Sequence, residues 1–164
     1  MKKILNLLFL GYFSLASLLP LDLKGKNLKR IVIDKSDRKL YVYENDKIIK
    51  TFLVGIGKEE YETPTGKFKI KEIRKDPYWI PPEKDWAKKA KKYVNDKGVI
   101  PYDHPYNPLR YYFINLGNGI GIHGYRNDMG IGKKSSHGCI RAKKDCLEYI
   151  VNNFFIGDEV IIQE

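Results

Sequence analysis

Residues 39–54 read KLYVYENDKIIKTFLV, and this stretch decides the fold class. Residues 40–43 alternate aliphatic side chains with tyrosines, and this period of two predicts a half-buried β-strand. Asn45 and Asp46 are a turn signal, after which residues 47–54 return as a second apolar-rich segment. The stretch therefore predicts a β-hairpin.

The rest of the chain is also mainly β in pattern. Further strands are predicted at residues 29–34, 67–73, 111–116, 119–123 and 159–163. Residues 59–66 and 76–82 are predicted as loops; the second of these contains three prolines, which remove backbone donors. Only two segments have helical spacing: the lysine-rich residues 85–95, and residues 147–154, whose apolar positions fall at i, i+3, i+4 and i+7. The sequence predicts a mainly β domain with one or two short helices.

Composition limits the classes of protein that remain. A length of 164 residues fits one domain, and 43% hydrophobic with 30% charged residues is typical of a folded chain. Two cysteines exclude a disulfide scaffold. The net charge of +10 is spread along the chain, apart from a local cluster at residues 84–97. It leaves two interpretations open: a basic surface that attracts anionic cell-envelope material, or an ordinary solvated lysine surface.

The N-terminus resembles a targeting segment. Lys2 and Lys3 precede a mostly apolar stretch at residues 4–19, with small residues near Ala16 and Ser17. This order predicts a signal peptide over residues 1–19. An uncleaved N-terminal anchor is the alternative, although the stretch is shorter than the ~20 residues that span a bilayer core. We expect an exported protein of the periplasm or cell envelope, touching the membrane only through this segment if it is uncleaved, and we expect no nucleic-acid partner.

Candidate chemistry is concentrated in one part of the chain. Half of the 14 glycines lie within residues 117–138, together with His123, Ser136 and His137 and followed directly by Cys139. A free thiol has a pKa of about 8.5, so a nucleophilic cysteine needs a base such as imidazole to take its proton. Backbone N–H groups in a glycine turn, here those of Gly138 and Cys139, are suited to stabilising an oxyanion. The cluster predicts a cysteine nucleophile for acyl transfer.

Three other interpretations of these residues stay open at this point. The cysteine and histidines could be near each other in sequence by coincidence. His123, His137 and Cys139 are zinc-ligand types, although a fourth ligand is not evident. Cys139 and Cys146 could form a disulfide in an oxidising compartment, but the helical pattern around Cys146 favours a small buried side chain there.

The wider pattern resembles a known family. GIHGY at residues 121–125 and SHGCIR at residues 136–141 are similar to the L,D-transpeptidase (YkuD-like) catalytic domain. The similarity continues in LYVYEND (40–46), VGIGK (54–58), TPTGKFKI (63–70), PYWIPP (77–82) and NPL (107–109). It covers about residues 28–163 and implies an L,D-transpeptidase-like β-sandwich over those residues.

The resemblance also implies roles for particular residues. Cys139 matches the nucleophile, His123 the histidine that activates it, and His137 the supporting histidine. The N–H groups of Gly138 and Cys139 match the cradle for the acyl oxygen, and the family needs neither a metal nor an organic cofactor. Ser136, Arg141 and Tyr125 are expected to contact the substrate, Arg141 through a substrate carboxylate. For Arg141, a structural role facing solvent is the alternative.

The chain departs from the family pattern at bulky positions. Tyr102 and Arg110 stand where family members commonly have glycine, and Tyr125 stands where a small threonine often follows His-Gly. We expect these side chains to narrow the substrate channel. His104, in the same loop as Tyr102, is expected to be a surface histidine.

The resemblance implies a cysteine-dependent L,D-transpeptidase of cell wall biogenesis. Such an enzyme attacks the bond before D-Ala in a peptidoglycan stem tetrapeptide, releases D-Ala and holds the rest as a thioester. An amine of another stem peptide, or of an envelope protein, then accepts the acyl group. Two alternatives remain: an L,D-carboxypeptidase, in which water is the acceptor, and a non-catalytic cell-wall-binding module.

Overall fold

The structure, a computed structural model, describes residues 28–164. The expected signal peptide at residues 1–19 lies outside the described residues. Within 28–164 we find no helix long and apolar enough to cross a membrane.

The described chain is mainly β, as predicted. Its strands are β1 Lys29–Asp34, β2 Lys39–Glu44, β3 Lys47–Leu53, β4 Ile56–Gly57, β5 Gly66–Lys69, β6 Glu72–Lys75, β7 Leu109–Gly117, β8 Ile120–Tyr125, β9 Lys134–Ser136, β10 Ile140–Arg141 and β11 Glu159–Gln163. Helical structure is limited in this range to the α-helix α1 Lys144–Asn153, the nine-residue 3-10 helix Asp85–Tyr93 and two single 3-10 turns, Glu59–Tyr61 and Arg126–Asp128.

The strands form two larger sheets and a small one. The five-stranded sheet has the order β3-β2-β1-β11-β5, the four-stranded sheet has the order β10-β8-β7-β6, and β4 pairs with β9. Ile31, Leu40 and Ile162 of the first sheet share one buried core with Ile114 and Ile122 of the second. This is the expected sandwich, in which each sheet buries one face against the other.

The hairpin at residues 39–54 is confirmed. β2 and β3 pair in antiparallel register, and Asn45 and Asp46 between them both have positive φ, at 48° and 65°. Two such residues give the type I′ turn whose twist matches that of the flanking strands. The predicted bounds of β1 and β11 also agree with the structure.

One prediction about the strands is wrong. Residues 67–73 are not a single strand, because β5 ends at Lys69 in the five-stranded sheet and β6 begins at Glu72 in the four-stranded sheet. Between them the Ile70 N–H donates to Asp158 O at 3.0 Å and the Lys71 N–H donates to Asn115 O at 2.7 Å. The chain therefore crosses from one sheet to the other at these two residues, with Ile70 buried in the core.

Both predicted helices form. α1 buries Leu147 and Ile150 against the sandwich, and Phe154 is buried one residue beyond the helix end. The surface helix Asp85–Tyr93 is a 3-10 helix rather than an α-helix and ends two residues before the predicted limit. A backbone bridge between Trp79 and Ile100 ties together the two sides of the segment that carries it.

Ile70→Ala tests the crossing between the sheets. Removing a fully buried aliphatic side chain should lower the free energy of unfolding by about 2–5 kcal/mol. Lys71→Ala, at the neighbouring exposed position, should change it by less than about 0.5 kcal/mol. Urea denaturation measures both. Equal effects of the two substitutions would show that Ile70 does not anchor the crossing.

Candidate active site

A single cavity of about 730 Å³ collects most of the predicted site residues. Its wall includes His123, Tyr125, Ser136, His137, Cys139 and Arg141. Gly138, the remaining predicted residue, is buried in the same loop as Cys139. The 3-10 helix Asp85–Tyr93 and the residues before it form the outer wall.

Strand pairing places the cysteine beside the histidine strand. β8 and β10 are parallel, with Ile122 opposite Ile140 and His123 opposite Arg141. The Ala142 N–H donates to His123 O at 2.9 Å and extends this connection. Cys139 directly precedes β10, and its thiol donates to Gly119 O at 3.6 Å, just before β8. Cys139 therefore precedes a strand that pairs directly with the strand containing His123.

The imidazole of His123 is held in one orientation. Its Nδ1 lies 2.8 Å from Gly124 O, so the Nδ1–H donates and the lone pair of Nε2 is left as the base. Only 6% of the residue is exposed. Burial lowers the pKa of His123 to about 4, the Gly124 hydrogen bond opposes this shift, and nearby Arg141 adds to it. At neutral pH the ring is uncharged and able to accept a proton.

The thiol of Cys139 is also uncharged at rest. Burial raises its pKa above the ordinary value, while the Gly121 backbone and the charge of Arg141 act in the opposite direction. A neutral thiol and a neutral imidazole that line one cavity favour proton transfer during attack over a preformed ion pair.

Ser136 shapes the loop that carries the cysteine. Its hydroxyl donates to Cys139 O at 2.5 Å and accepts from the Gly138 N–H at 3.2 Å. Gly138 has φ +108°, which glycine adopts without strain. In this conformation the Gly138 N–H already has an acceptor, so an acyl oxygen would replace Ser136 as its partner. The oxyanion role of Gly138 stays a prediction.

Thr63 is a supporting residue that the residue-by-residue reasoning missed. Its buried hydroxyl donates to Gly138 O at 2.9 Å and accepts from the Gly57 N–H at 2.8 Å. It thereby ties the cysteine loop to β4. The available signal was its position at the start of TPTGKFKI, one of the stretches that resemble the family.

His137 faces the surface helix. Its ring stacks on Trp86 with centroids 4.0 Å apart, and the ring of Tyr61 meets its edge at 4.8 Å. Burial lowers the pKa of His137, and Lys58 and Arg141 lower it further. This histidine therefore joins the cysteine loop to the helix that forms the outer wall of the cavity.

Arg141 is buried, so the alternative of a solvent-facing arginine is wrong. Only 8% of the residue is exposed. Its guanidinium lies 3.6 Å from the ring centre of Tyr125, and its Nη1 donates to Met129 O and Ser135 Oγ at 3.3 Å each. Within residues 28–164 no carboxylate pairs with it and its buried Nε has no acceptor.

The bulky residues that depart from the family pattern have different positions relative to the cavity. Tyr125 lines the cavity, as expected. Tyr102 and Arg110 are not part of its wall, so the expectation that they narrow the channel is wrong. Arg110 instead donates to Asn107 O and Leu109 O and fixes its own loop. His104 is not part of the wall either; it packs behind Tyr93 and Tyr106, which do line the cavity.

The two alternative uses of the cysteines find no support. Cys139 and Cys146 are both free, and Cys146 is buried on α1, so the disulfide alternative is wrong. In the part of the chain that the structure describes, no group of three or more His, Cys, Asp or Glu side chains is arranged to hold a metal ion.

The fold and the site define a class of protein: a domain of two packed β-sheets in which a cysteine and a histidine line one cavity. A family model for the L,D-transpeptidase catalytic domain, YkuD, matches residues 28–162. The chain belongs to this family.

Individual relatives agree with the family match. A probable L,D-transpeptidase, ErfK/SrfK, of Escherichia coli K12 is 32% identical over 136 residues, which are 82% of this chain and 44% of that protein. A putative L,D-transpeptidase, YkuD, of Bacillus licheniformis is 31% identical over 121 residues, 73% of this chain and 56% of that protein. The chain thus spans about half the length of these relatives.

Solved structures share the fold. An L,D-transpeptidase from Mycobacterium smegmatis aligns with a TM-score of 0.62 at 17% identity, over 84% of this chain and 59% of that one. L,D-transpeptidase 3 from Mycobacterium tuberculosis, in complex with a faropenem-derived adduct, aligns with a TM-score of 0.61 at 19% identity, over 84% and 60%.

The pH dependence of alkylation tests the neutral thiol. Thiolate is the form that reacts with iodoacetamide, and a raised pKa moves its formation to higher pH. We expect the alkylation rate of Cys139 to keep rising through pH 7–9, a range in which His123 stays uncharged. Mass spectrometry of the labelled peptide measures the rate, with Cys139→Ala as the blank. A plateau already below pH 7 would instead indicate a preformed thiolate–imidazolium pair.

Thr63→Val tests the support of the cysteine loop. The change keeps the side-chain shape but leaves the buried Gly57 N–H and Gly138 carbonyl without their partner, at a cost of about 1–3 kcal/mol in the free energy of unfolding. The loosened loop should also admit water and speed Cys139 alkylation at pH 8. Thr63→Ser, which retains the hydroxyl, is the control and should behave like the wild type. Unchanged stability and alkylation in Thr63→Val would contradict this role.

Proposed function

We propose that this chain is a cysteine-dependent L,D-transpeptidase that acts on peptidoglycan stem peptides in cell wall biogenesis. One observation carries the proposal. Cys139, directly before β10, and an oriented, uncharged His123, within the neighbouring strand β8, line the same cavity. Family membership gives this pair its reaction class.

Acylation begins with the transfer of a proton. Nε2 of His123 takes the thiol proton while the sulfur of Cys139 attacks the carbonyl that joins the third stem residue, a diamino acid, to D-Ala. The oxyanion is stabilised by the N–H groups of Cys139 and Gly138. When the carbon–nitrogen bond breaks, His123 returns the proton to the leaving D-Ala amine, and a thioester remains on Cys139. The Gly124 carbonyl keeps the ring oriented throughout.

Deacylation follows the same route in reverse. The amine of a second stem peptide, or of an envelope protein, gives its proton to His123 and attacks the thioester. An amide forms and the thiol is restored. With water as acceptor the product is a tripeptide, which is the L,D-carboxypeptidase alternative.

Arg141 is proposed to bind a carboxylate of the substrate. The side chain lines the cavity without an acidic partner in the described residues, and its Nε is an unused buried donor. Tyr125 stacks on the guanidinium and restricts its orientation. Ser136 contributes through the loop, since both of its hydrogen bonds are to that loop's backbone.

The organisation of the chain completes the proposal. Residues 28–163 form the catalytic domain, and residues 1–19 are a signal peptide that directs export to the periplasm or cell envelope. Contact with the membrane is limited to this segment, in the case that it remains uncleaved.

Release of D-Ala from a stem tetrapeptide is the direct test. The wild type should release it, and Cys139→Ala should lose at least about 10³-fold of that rate, because the covalent route is closed. Cys146→Ala is the matched control, since it removes the other thiol, buried on α1 away from the cavity. Release by Cys139→Ala at the wild-type rate would overturn the mechanism.

Product analysis and labelling separate the alternatives. Cross-linked dimers indicate transfer, whereas tripeptides alone indicate the carboxypeptidase. Structural neighbours have been solved with imipenem and with a faropenem-derived adduct. We expect such β-lactams to acylate Cys139 here, detected as a mass increase that is absent from Cys139→Ala. A protein that binds sacculi but resists acylation would be a binding module.

A further inference from the structure

The winding of the surface helix Asp85–Tyr93 aligns one set of its side chains with the cavity. A 3-10 helix has three residues per turn, so residues three apart eclipse one another. Trp86, Lys89 and Lys92 follow this spacing, and all three line the cavity. Trp86 is fixed by its stacking on His137. We call Lys89 and Lys92 the lysine row.

The other two lysines of this helix form ion pairs, and the lysines of the row do not. Lys88 pairs with Asp85 at 2.6 Å, and Lys91 pairs with Glu83. Among residues 28–164 neither Lys89 nor Lys92 has a carboxylate within ion-pair distance. Asp85 and Glu83 thus pair with the outer lysines, while the ammonium of Lys92 lies 4.9 Å from the ring centre of Tyr93, which leaves its charge unpaired in the described part of the chain.

The cavity wall as a whole also has an excess of positive over negative side chains. As far as the structure describes the chain, this wall contains no aspartate or glutamate, but it contains the lysine row, Arg74, Arg126 and Arg141. Of the three arginines only Arg74 has an acidic partner among the described residues, Glu72 at 2.6 Å. A concave surface lined by one sign of charge concentrates ligands of the opposite sign.

The lysine row lies at a distance from Cys139 that matches substrate side groups a few residues from the attacked carbonyl. At about 2 Å rise per residue, the two lysines begin about 6 and 12 Å along the helix from Trp86. Trp86 itself stacks on His137, two residues from Cys139. An extended peptide spans about 3.3–3.6 Å per residue, so side groups one to three residues from the attacked carbonyl are within reach of flexible lysines.

We propose that the lysine row recognises free carboxylates on the second and third residues of the donor stem peptide. The enzyme then prefers peptides in which these groups are acids over peptides in which they are carboxamides. This inference rests on the proposed function, since it names the form of that substrate. Carboxylates gain charge-assisted hydrogen bonds from lysine, and carboxamides do not.

Binding tests the preference without turnover. The probes are L-Ala-γ-D-Glu-meso-diaminopimelyl-D-Ala and the same tetrapeptide with both free side carboxyls amidated, each titrated calorimetrically into the purified full chain carrying Cys139→Ala. At low salt we expect the acid to bind roughly 3- to 20-fold more tightly, as for two partly exposed ion pairs. Raising the salt to about 1 M should remove most of the difference. Equal binding at low salt would overturn the proposal.

Matched double variants assign the preference to the row. Lys89→Gln with Lys92→Gln should bind the acid about as weakly as the amide and leave binding of the amide unchanged. Lys88→Gln with Lys91→Gln removes the same charge from the same helix, outside the cavity wall, and should retain the preference. Equal losses in the two double variants would show a general charge effect and refute the lysine row.

Turnover separates this proposal from the function on which it rests. In the otherwise unmodified enzyme the lysine-row variant should raise KM for D-Ala release from the acid and leave kcat unchanged. If neither the wild type nor the lysine-row variant releases D-Ala, but the wild type still binds the acid form of the peptide more tightly, the proposed reaction is wrong and the recognition of carboxylates stands. If D-Ala is released equally from acid and amide, the reaction stands and the lysine row fails.

Discussion

The parallel pairing of β8 with β10 is the constraint on which the site depends. Ile122 and Ile140 face each other in this pairing, and both are fully buried. Because side chains alternate along a strand, a slip by one residue would move buried side chains to the opposite face. The core therefore fixes the register, and the register fixes the position of Cys139 relative to His123. Hydrophobic packing and catalytic geometry are set by the same few residues.

Burial that fixes this geometry also determines the charge state of the pair. It lowers the pKa of His123 to about 4 and raises that of Cys139, so each group is held in its neutral form. Arg141 acts on both in a consistent direction, because a nearby positive charge disfavours imidazolium and favours thiolate. Both groups are therefore neutral at rest, and the proton moves only when an electrophile is present.

Much of the fold could be predicted because its signals are local. A β-branched run predicted the limits of β1, alternation predicted those of β2, and the turn residues Asn45 and Asp46 predicted the connection from β2 to β3. The break at Ile70 and Lys71 was missed, since a period of two says nothing about which sheet a strand joins. That choice depends on partners as distant as Asp158 and Asn115. The 3-10 winding of the surface helix was missed for a similar reason, because its spacing also fits an α-helix.

The site residues also differ in how well the sequence predicts them. Cys139, His123 and His137 stand in motifs that a reader of the sequence can find. Thr63 and the burial of Arg141 depend on contacts between segments far apart in the chain, such as the bond from Thr63 to Gly138. No local pattern encodes these contacts, although the stretch that contains Thr63 was part of the resemblance.

His137 connects the two layers of the cavity, and this explains why a second histidine in the motif need not touch the reacting atoms. One side of its loop carries Cys139, while its ring stacks on Trp86 of the surface helix. Trp79 also stacks on Trp86, with centroids 6.3 Å apart, so three rings connect the loop with the outer wall. Stacked rings tolerate small sliding movements but resist separation, because parting them exposes large apolar faces to water. Ring stacking thus joins the cysteine loop to the outer wall without a strand or helix that runs through both.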